Sequence, residues 1–189
     1  MKRNYLGLMK RPWAILPEAL TMLVAALEAG PRAAELGAAE DGGAAKPTQA
    51  GGTMVIPVQG YIVPRSNRML EEWFGVTGIN RIKAQLREAM ANPSVGRILF
   101  DVDSPGGSVE GVAELASEIV AARGKKPMTA VANGLMASAA YWIGSAADEI
   151  VVTPSGMVGS IGVLAVHEEM SGLAGAGGDW GDADYGGEV

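Results

Sequence analysis

Two short segments carry residue types suited to acyl chemistry. In Ser-Pro-Gly-Gly at 104–107 a proline fixes one φ, and the paired glycines let the backbone turn so that N–H groups face outward. In Gly-Leu-Met-Ala-Ser-Ala-Ala-Tyr at 134–141 one hydroxyl, that of Ser138, falls where a strand pattern gives way to a helical one. A hydroxyl nucleophile and outward amides that hold a developing oxyanion are two parts of an acyl-transfer site, and a general base is the third. Each segment also has a plain structural use. Ser104 or Ser108 can cap the helix that follows the first turn, and Ser138 can cap the helix that it opens. As a nucleophile Ser138 would have the Ala139 N–H beside it to help bind the oxyanion. The small neighbours Ala137, Ala139 and Ala140 would let a substrate carbonyl come close to the backbone. Two such segments in this order, each after a strand, point to a site more strongly than either does alone.

A third segment, Gly159-Ser160-Ile161-Gly162-Val163, is a β run flanked by glycines. It suits either a strand that another chain approaches closely or a core strand with turns at its ends. His167 beside Glu168 and Glu169 reads as a solvated surface group rather than an acid–base cluster. Trp13, Trp73, Trp142 and Trp180 share no spacing that would build an aromatic cage, and they read as packing residues.

The elements that must position these segments follow from hydrophobic periodicity. Leu20, Leu23, Val24 and Leu27 recur at helical spacing, with Pro17 suited to the first turn and Gly30-Pro31 to the stop. Residues 1–36 therefore read as a helical appendage and 37–52, rich in Gly and Ala, as a flexible linker. Beyond Thr53, β runs are expected at Met54–Val58, Tyr61–Val63, Arg97–Val102, Pro127–Ala132, Glu149–Val152 and Ile161–Val166. Helical periods are carried by Ile79, Ile82, Leu86 and Met90, by Val109, Val112, Leu115 and Ile119, and by 138–147. Alternating strands and helices predict an α/β fold with a largely parallel, covered sheet. Residues 172–189 hold seven glycines, four acidic residues and no basic one, the composition of a disordered tail.

Bulk composition narrows the function classes. The chain has 189 residues, 48% of them apolar, enough for one core with appendages. A net charge of -6 gives no reason to expect a nucleic-acid partner. With no cysteine and a single histidine, disulfides, thiolate metal sites, a cysteine nucleophile and a multi-histidine metal site are excluded. Lys2, Arg3, Lys10 and Arg11 precede an apolar stretch, but that stretch is short and amphipathic, unlike a secretory core. The expectation is a chain without a membrane span and not secreted.

Taken in series, Ile98-Leu-Phe-Asp-Val-Asp-Ser-Pro-Gly-Gly-Ser-Val, Met136-Ala-Ser-Ala-Ala-Tyr-Trp-Ile and Gly156-Met-Val-Gly-Ser-Ile-Gly-Val resemble the S49 peptidases, the signal peptide peptidase A family. The resemblance spans 53–171. Arg11-Pro-Trp-Ala-Ile-Leu-Pro-Glu and the short single-domain layout look more like the phage and prophage capsid-assembly branch. The resemblance implies a Clp protease/crotonase-like fold of repeated strand-strand-helix units and a serine–lysine dyad. It implies Ser138 as nucleophile, Gly107 and Ala139 as oxyanion-hole amides, and Ser104, Pro105 and Gly106 as the supporting turn. It implies a substrate strand beside Gly159, Ser160, Ile161 and Gly162, and it implies no metal or nucleotide cofactor. Expected partners are a peptide or protein substrate, phage portal or scaffold proteins and, in the full-length form, further copies of the chain in a homo-oligomer; the expected setting is a bacterial cytoplasm or a phage procapsid.

The family's dyad lysine follows the serine, in a segment reading roughly Leu-Ile-Tyr-x-Gly-x-Tyr-Lys. Here Lys2, Lys10, Lys46, Lys83, Lys125 and Lys126 all precede Ser138. With permitted codons, a one-base shift of frame from Asp179 gives Thr-Gly-Val-Thr-Leu-Ile-Met-Ala-Ala-Lys, which resembles the family's strand. The expectation is a frameshift or truncation near 174–179 and a weak or inactive peptidase. Two other readings stay open. One is a non-enzymatic capsid or scaffold component with a degenerate protease fold. The other is a crotonase-type acyl-CoA enzyme, which shares a glycine oxyanion hole but needs an acidic residue and a CoA site that have no convincing candidate here.

Overall fold

A computed structural model describes residues 11–29 and 47–164. Most of the expected linker, His167, Glu168, Glu169 and the tail at 172–189 lie outside the described residues.

The fold is mixed α/β, as the alternation predicts. Among the described residues its main sheet has six strands: β2 (Thr48–Ala50), β3 (Thr53–Gln59), β6 (Arg97–Ser104), β8 (Met128–Ala137), β9 (Glu149–Val152) and β10 (Met157–Gly159). The order is β10-β8-β6-β3-β2, with β9 also paired to β8. Every pairing is parallel except the edge pair β2–β3. A smaller sheet runs β1 (Trp13–Ile15), β7 (Gly106–Ser108), β4 (Tyr61–Val63) and β5 (Val76–Gly78).

Helices cover the main sheet because their apolar stripes match it. In α3 (Ile79–Ala91) Ile79, Ile82, Leu86 and Ala89 are buried, one face at 3.6 periodicity. In α4 (Val112–Ala122) the buried set is Val112, Leu115, Ala116, Ile119 and Ala122. Both pack with α5 (Ala139–Ser145) over Ile56, Ile98, Phe100, Met128 and Ala130 in one continuous core. Small residues on β8, Ala130 and Ala132, let α5 and its buried Ile143 approach the strand. The remaining described helices are α1 (Pro17–Ala29) and α2 (Arg68–Phe74), the latter capped by Asn67, whose Oδ1 accepts from the Leu70 N–H at 3.0 Å.

Four expectations change. Thr48–Ala50, placed by composition in a flexible linker, forms the antiparallel edge strand β2 on β3. The strand expected at 161–166 is absent over its described part, which holds only an isolated bridge at Leu164; the parallel strand lies earlier, at Met157–Gly159. The α5 helix begins at Ala139 rather than Ser138. Ser-Pro-Gly-Gly is a turn only over Pro105, since Gly106 and Gly107 open strand β7. β7 and β10 are set by pairing with strands far along the chain, which local periodicity does not register, whereas β2 pairs with β3 across the adjacent Gly51-Gly52 turn.

Among the described residues no helix is long and apolar enough to cross a membrane.

Candidate active site

Ser138 sits where β8 ends and α5 starts, with φ 55° and ψ −116°. This is a sparsely populated region for a residue with a side chain, and holding it there costs about 1–3 kcal/mol. A sharp strand-to-helix turn with a strained serine is the geometry of a nucleophile elbow, which lifts the hydroxyl off the helix it precedes. Its side chain makes no capping bond to α5. Instead Oγ donates to the Gly162 carbonyl at 3.3 Å, a long contact, and the Ser138 N–H donates to the Gly159 carbonyl at 2.8 Å. Ser138 as a whole is 6% exposed. Ala139, the first helical residue, has an N–H with no acceptor inside α5, as the first amides of any helix do.

The second segment converges on the same place. Ser104 pairs with Met136 in the β6–β8 register, which slips between Val102 and Ser104. That irregularity carries the Pro105–Gly107 backbone past the end of β8. The buried Ser104 Oγ donates to the Gly60 carbonyl at 2.7 Å and accepts from the Gly106 N–H at 3.1 Å. Ser104 therefore holds the turn together and does not cap α4, whose N-cap is Gly111 without a side-chain bond. Gly106 has φ +100°, and a Cβ there would stand 2.3 Å from the Ala14 carbonyl and 3.1 Å from the Ala137 carbonyl. A Cβ on Gly107 would stand 2.0 Å from the Ile62 carbonyl. Only glycine permits both approaches. The turn and the elbow thus share one corner of the fold.

The third segment borders that corner. Gly159 (φ +140°) and Ser160 (φ 53°) bend the chain away from β10, and Gly159 and Gly162 supply the two carbonyls that hold Ser138. Ile161 is 85% exposed and belongs to no strand.

A participant that sequence reasoning missed is β1. Its register is Trp13↔Ser108, Ala14↔Gly107 and Ile15↔Gly106, antiparallel. The Leu16 N–H donates to the Pro105 carbonyl (3.1 Å) and the Val109 N–H to the Pro12 carbonyl (3.3 Å). By the alternation of an antiparallel ladder, Ala14 and Gly107 are then the pair that exchanges N–H···O bonds, so the Gly107 amide faces the Ala14 carbonyl. On the other edge Trp13 exchanges backbone bonds with Leu164, at 2.8 Å and 2.7 Å. The sequence signal was three apolar residues after Arg11-Pro12, too short for periodicity to mark as a strand. Tyr61 packs against Trp13, Ile15, Leu20 and Leu23 in a second small core, and burial raises its phenol above the ordinary 10.0.

The lysines described lie elsewhere. Lys126 donates from Nζ to the carbonyls of Ala89 and Asn92, both at 2.7 Å, just before β8, whereas Ser138 follows the other end of that strand. Lys125 follows the end of α4, and Lys83 lies on α3.

The "Peptidase family S49" profile matches residues 121–176, a stretch that includes the elbow and the 159–162 segment. Capsid assembly protease C of Escherichia phage lambda is 42% identical over 116 residues, 61% of this chain and 26% of that protein. Head-tail preconnector protein GP5 of Enterobacteria phage P21 is 40% identical over 129 residues, 68% of this chain and 26% of its own length. Protease 4 of Salmonella typhi is 38% identical over 122 residues, 64% of this chain and 19% of its own length. The chain thus spans about a quarter or less of each of these relatives.

Proposed function

Because this chain belongs to peptidase family S49, with the Clp protease/crotonase-like α/β fold of that family, we propose that it carries the nucleophile half of a serine–lysine endopeptidase site acting on extended peptide segments. Ser138 Oγ passes its proton to the base as it attacks the peptide carbonyl, and the oxyanion settles on the Ala139 amide and on the Gly107 amide, from which the Ala14 carbonyl must first withdraw. The amine leaves with a proton from the base, and water then releases the acyl group from Ser138. The base in this scheme is a lysine kept neutral by burial, which lowers an amine's pKa. The setting proposed is phage or prophage head maturation, with portal or scaffold proteins as partners, by analogy with the names of the lambda and P21 relatives.

The observation that carries this reading is the uncapped serine at φ 55°, next to the Ala137 carbonyl that a side chain on Gly106 would crowd. A strained backbone persists only where the surroundings over-determine it, and a helix cap would not need it.

The reading includes low activity for these 189 residues. No lysine follows Ser138 in the sequence, and Lys126 is engaged at the far end of β8. Loss of a general base costs about 100- to 10,000-fold in rate. The test is a fluorophosphonate probe with intact-mass detection. The expected result is slow labelling confined to Ser138, rising in proportion to hydroxide with no plateau near neutral pH. Absence of a Ser138 adduct at alkaline pH in folded protein would overturn the nucleophile, and fast labelling at neutral pH would overturn the low activity.

A further inference from the structure

The three residues of β1 do something unusual for the end of a small sheet: they lie between both walls of the candidate site. Ala14 faces the Gly107 amide on one edge, and Trp13 exchanges two backbone bonds with Leu164 on the other. An extended segment between the glycine strand and the 159–164 stretch, with a carbonyl turned to the Gly107 N–H, is how a peptide substrate would lie if it bound by strand addition. We propose that Trp13–Ile15 is a resident pseudo-substrate strand, filling the peptide slot until an incoming chain displaces it. This rests on the peptidase reading of the same corner.

The occupant also describes the slot's preference. Alternating side chains of a strand face opposite ways. Trp13 and Ile15 sit in one apolar cluster with Leu20, Leu23 and Tyr61, whereas Ala14 faces the main core and is 2% exposed. The slot therefore takes an extended apolar segment with large residues flanking a small one. At the middle position the Ala14 carbonyl already stands 2.3 Å from where a Gly106 Cβ would be, so backbone and side chain are tightly enclosed there.

β1 is three residues long, and only α1 continues it into the described structure. Beyond the Trp13 cluster its fastening includes ladder bonds and the exposed Arg11–Glu110 ion pair, each contributing about 1 kcal/mol or less net. A tethered segment nonetheless competes at an effective concentration of order mM, which keeps free peptides out.

The experiment uses a fluorescent peptide with the Arg11–Pro17 sequence, titrated against the full chain and two release variants, Ala14→Pro and Trp13→Ala. Ala14→Pro deletes the N–H that pairs with Gly107, and Trp13→Ala removes the anchor. The expected result is at least tenfold tighter peptide binding by both variants, with amide exchange at Gly107 and Leu164 accelerated in the variants and slowed again by the peptide. A peptide with Phe in place of Ala14 should not bind. Equal affinity for the unaltered chain and the variants, or unchanged exchange at Gly107 and Leu164, would overturn the proposal. So would loss of the cooperative melt in both variants, which would make β1 an ordinary part of the fold. Binding needs no Ser138 chemistry, so Ser138→Ala must give the same affinities. Failure of the fluorophosphonate test is thereby kept separate.

Discussion

Ser138 donates its N–H to the Gly159 carbonyl at 2.8 Å, so the elbow is fastened to the end of β10, the strand that runs parallel to β8. The strain at Ser138 is thus borne by a neighbouring strand and not by the helix that follows.

Replacing Ser138 with glycine should relieve that strain. Glycine adopts φ 55° freely, at some cost in unfolded-chain entropy, so Ser138→Gly should gain about 1 kcal/mol. Ser138→Val should lose at least that much, because a β-branched residue tolerates positive φ poorly. Urea denaturation midpoints check both. A Ser138→Gly chain less stable than the parent would show that the elbow is not strained.

Gly107→Ala should damage the site and the small sheet together. The new methyl would stand 2.0 Å from the Ile62 carbonyl, forcing β4 and β7 apart. Overpacking of this kind costs about 1–3 kcal/mol. The expected outcome is a lower Tm with Ser138 labelling lost. Unchanged labelling would argue against Gly107 as an oxyanion donor.

Tyr61 makes the small core pH-sensitive. Its folded-state pKa is raised by burial, so the neutral phenol is the form that folding favours. Its contribution is complete below the unfolded value of 10.0 and is lost as pH rises through the folded value. Stability should fall above pH 10 more steeply in the parent than in Tyr61→Phe. Parallel pH curves for the two proteins would remove Tyr61 as the cause.

Glu71, 6% exposed, accepts from Ser66 Oγ at 2.5 Å and pairs with Arg81, tying α2 to α3 across β5. Glu71→Ala removes the acceptor of Ser66 Oγ and the Glu71–Arg81 ion pair, and should cost about 1.5–3 kcal/mol. Chemical denaturation measures it. A change within about 0.5 kcal/mol, the range usual for surface positions, would mean that the cluster is effectively solvated.

The two rival functions are open to direct assay. Retention on immobilised CoA or thioester turnover would favour a crotonase-type enzyme. Co-purification with portal or scaffold proteins, unaffected by Ser138→Ala, would favour a non-enzymatic head component. The peptidase reading expects no retention on immobilised CoA.

The sequence by itself determined the alternation of strands and helices, the stripes Ile79-Ile82-Leu86 and Leu115-Ile119, and the two segments that hold Ser138 and Gly107. These are local properties, carried by periodicity and by residue types whose backbone freedom is distinctive. Tertiary structure alone decided that Ser138 takes a positive φ without capping its helix, that β10 precedes Ser160, and that Trp13–Ile15 lies along Gly106–Ser108. Each depends on backbone bonds between residues far apart in the chain. A three-residue strand has no period to read, and only its distant partners give it a conformation.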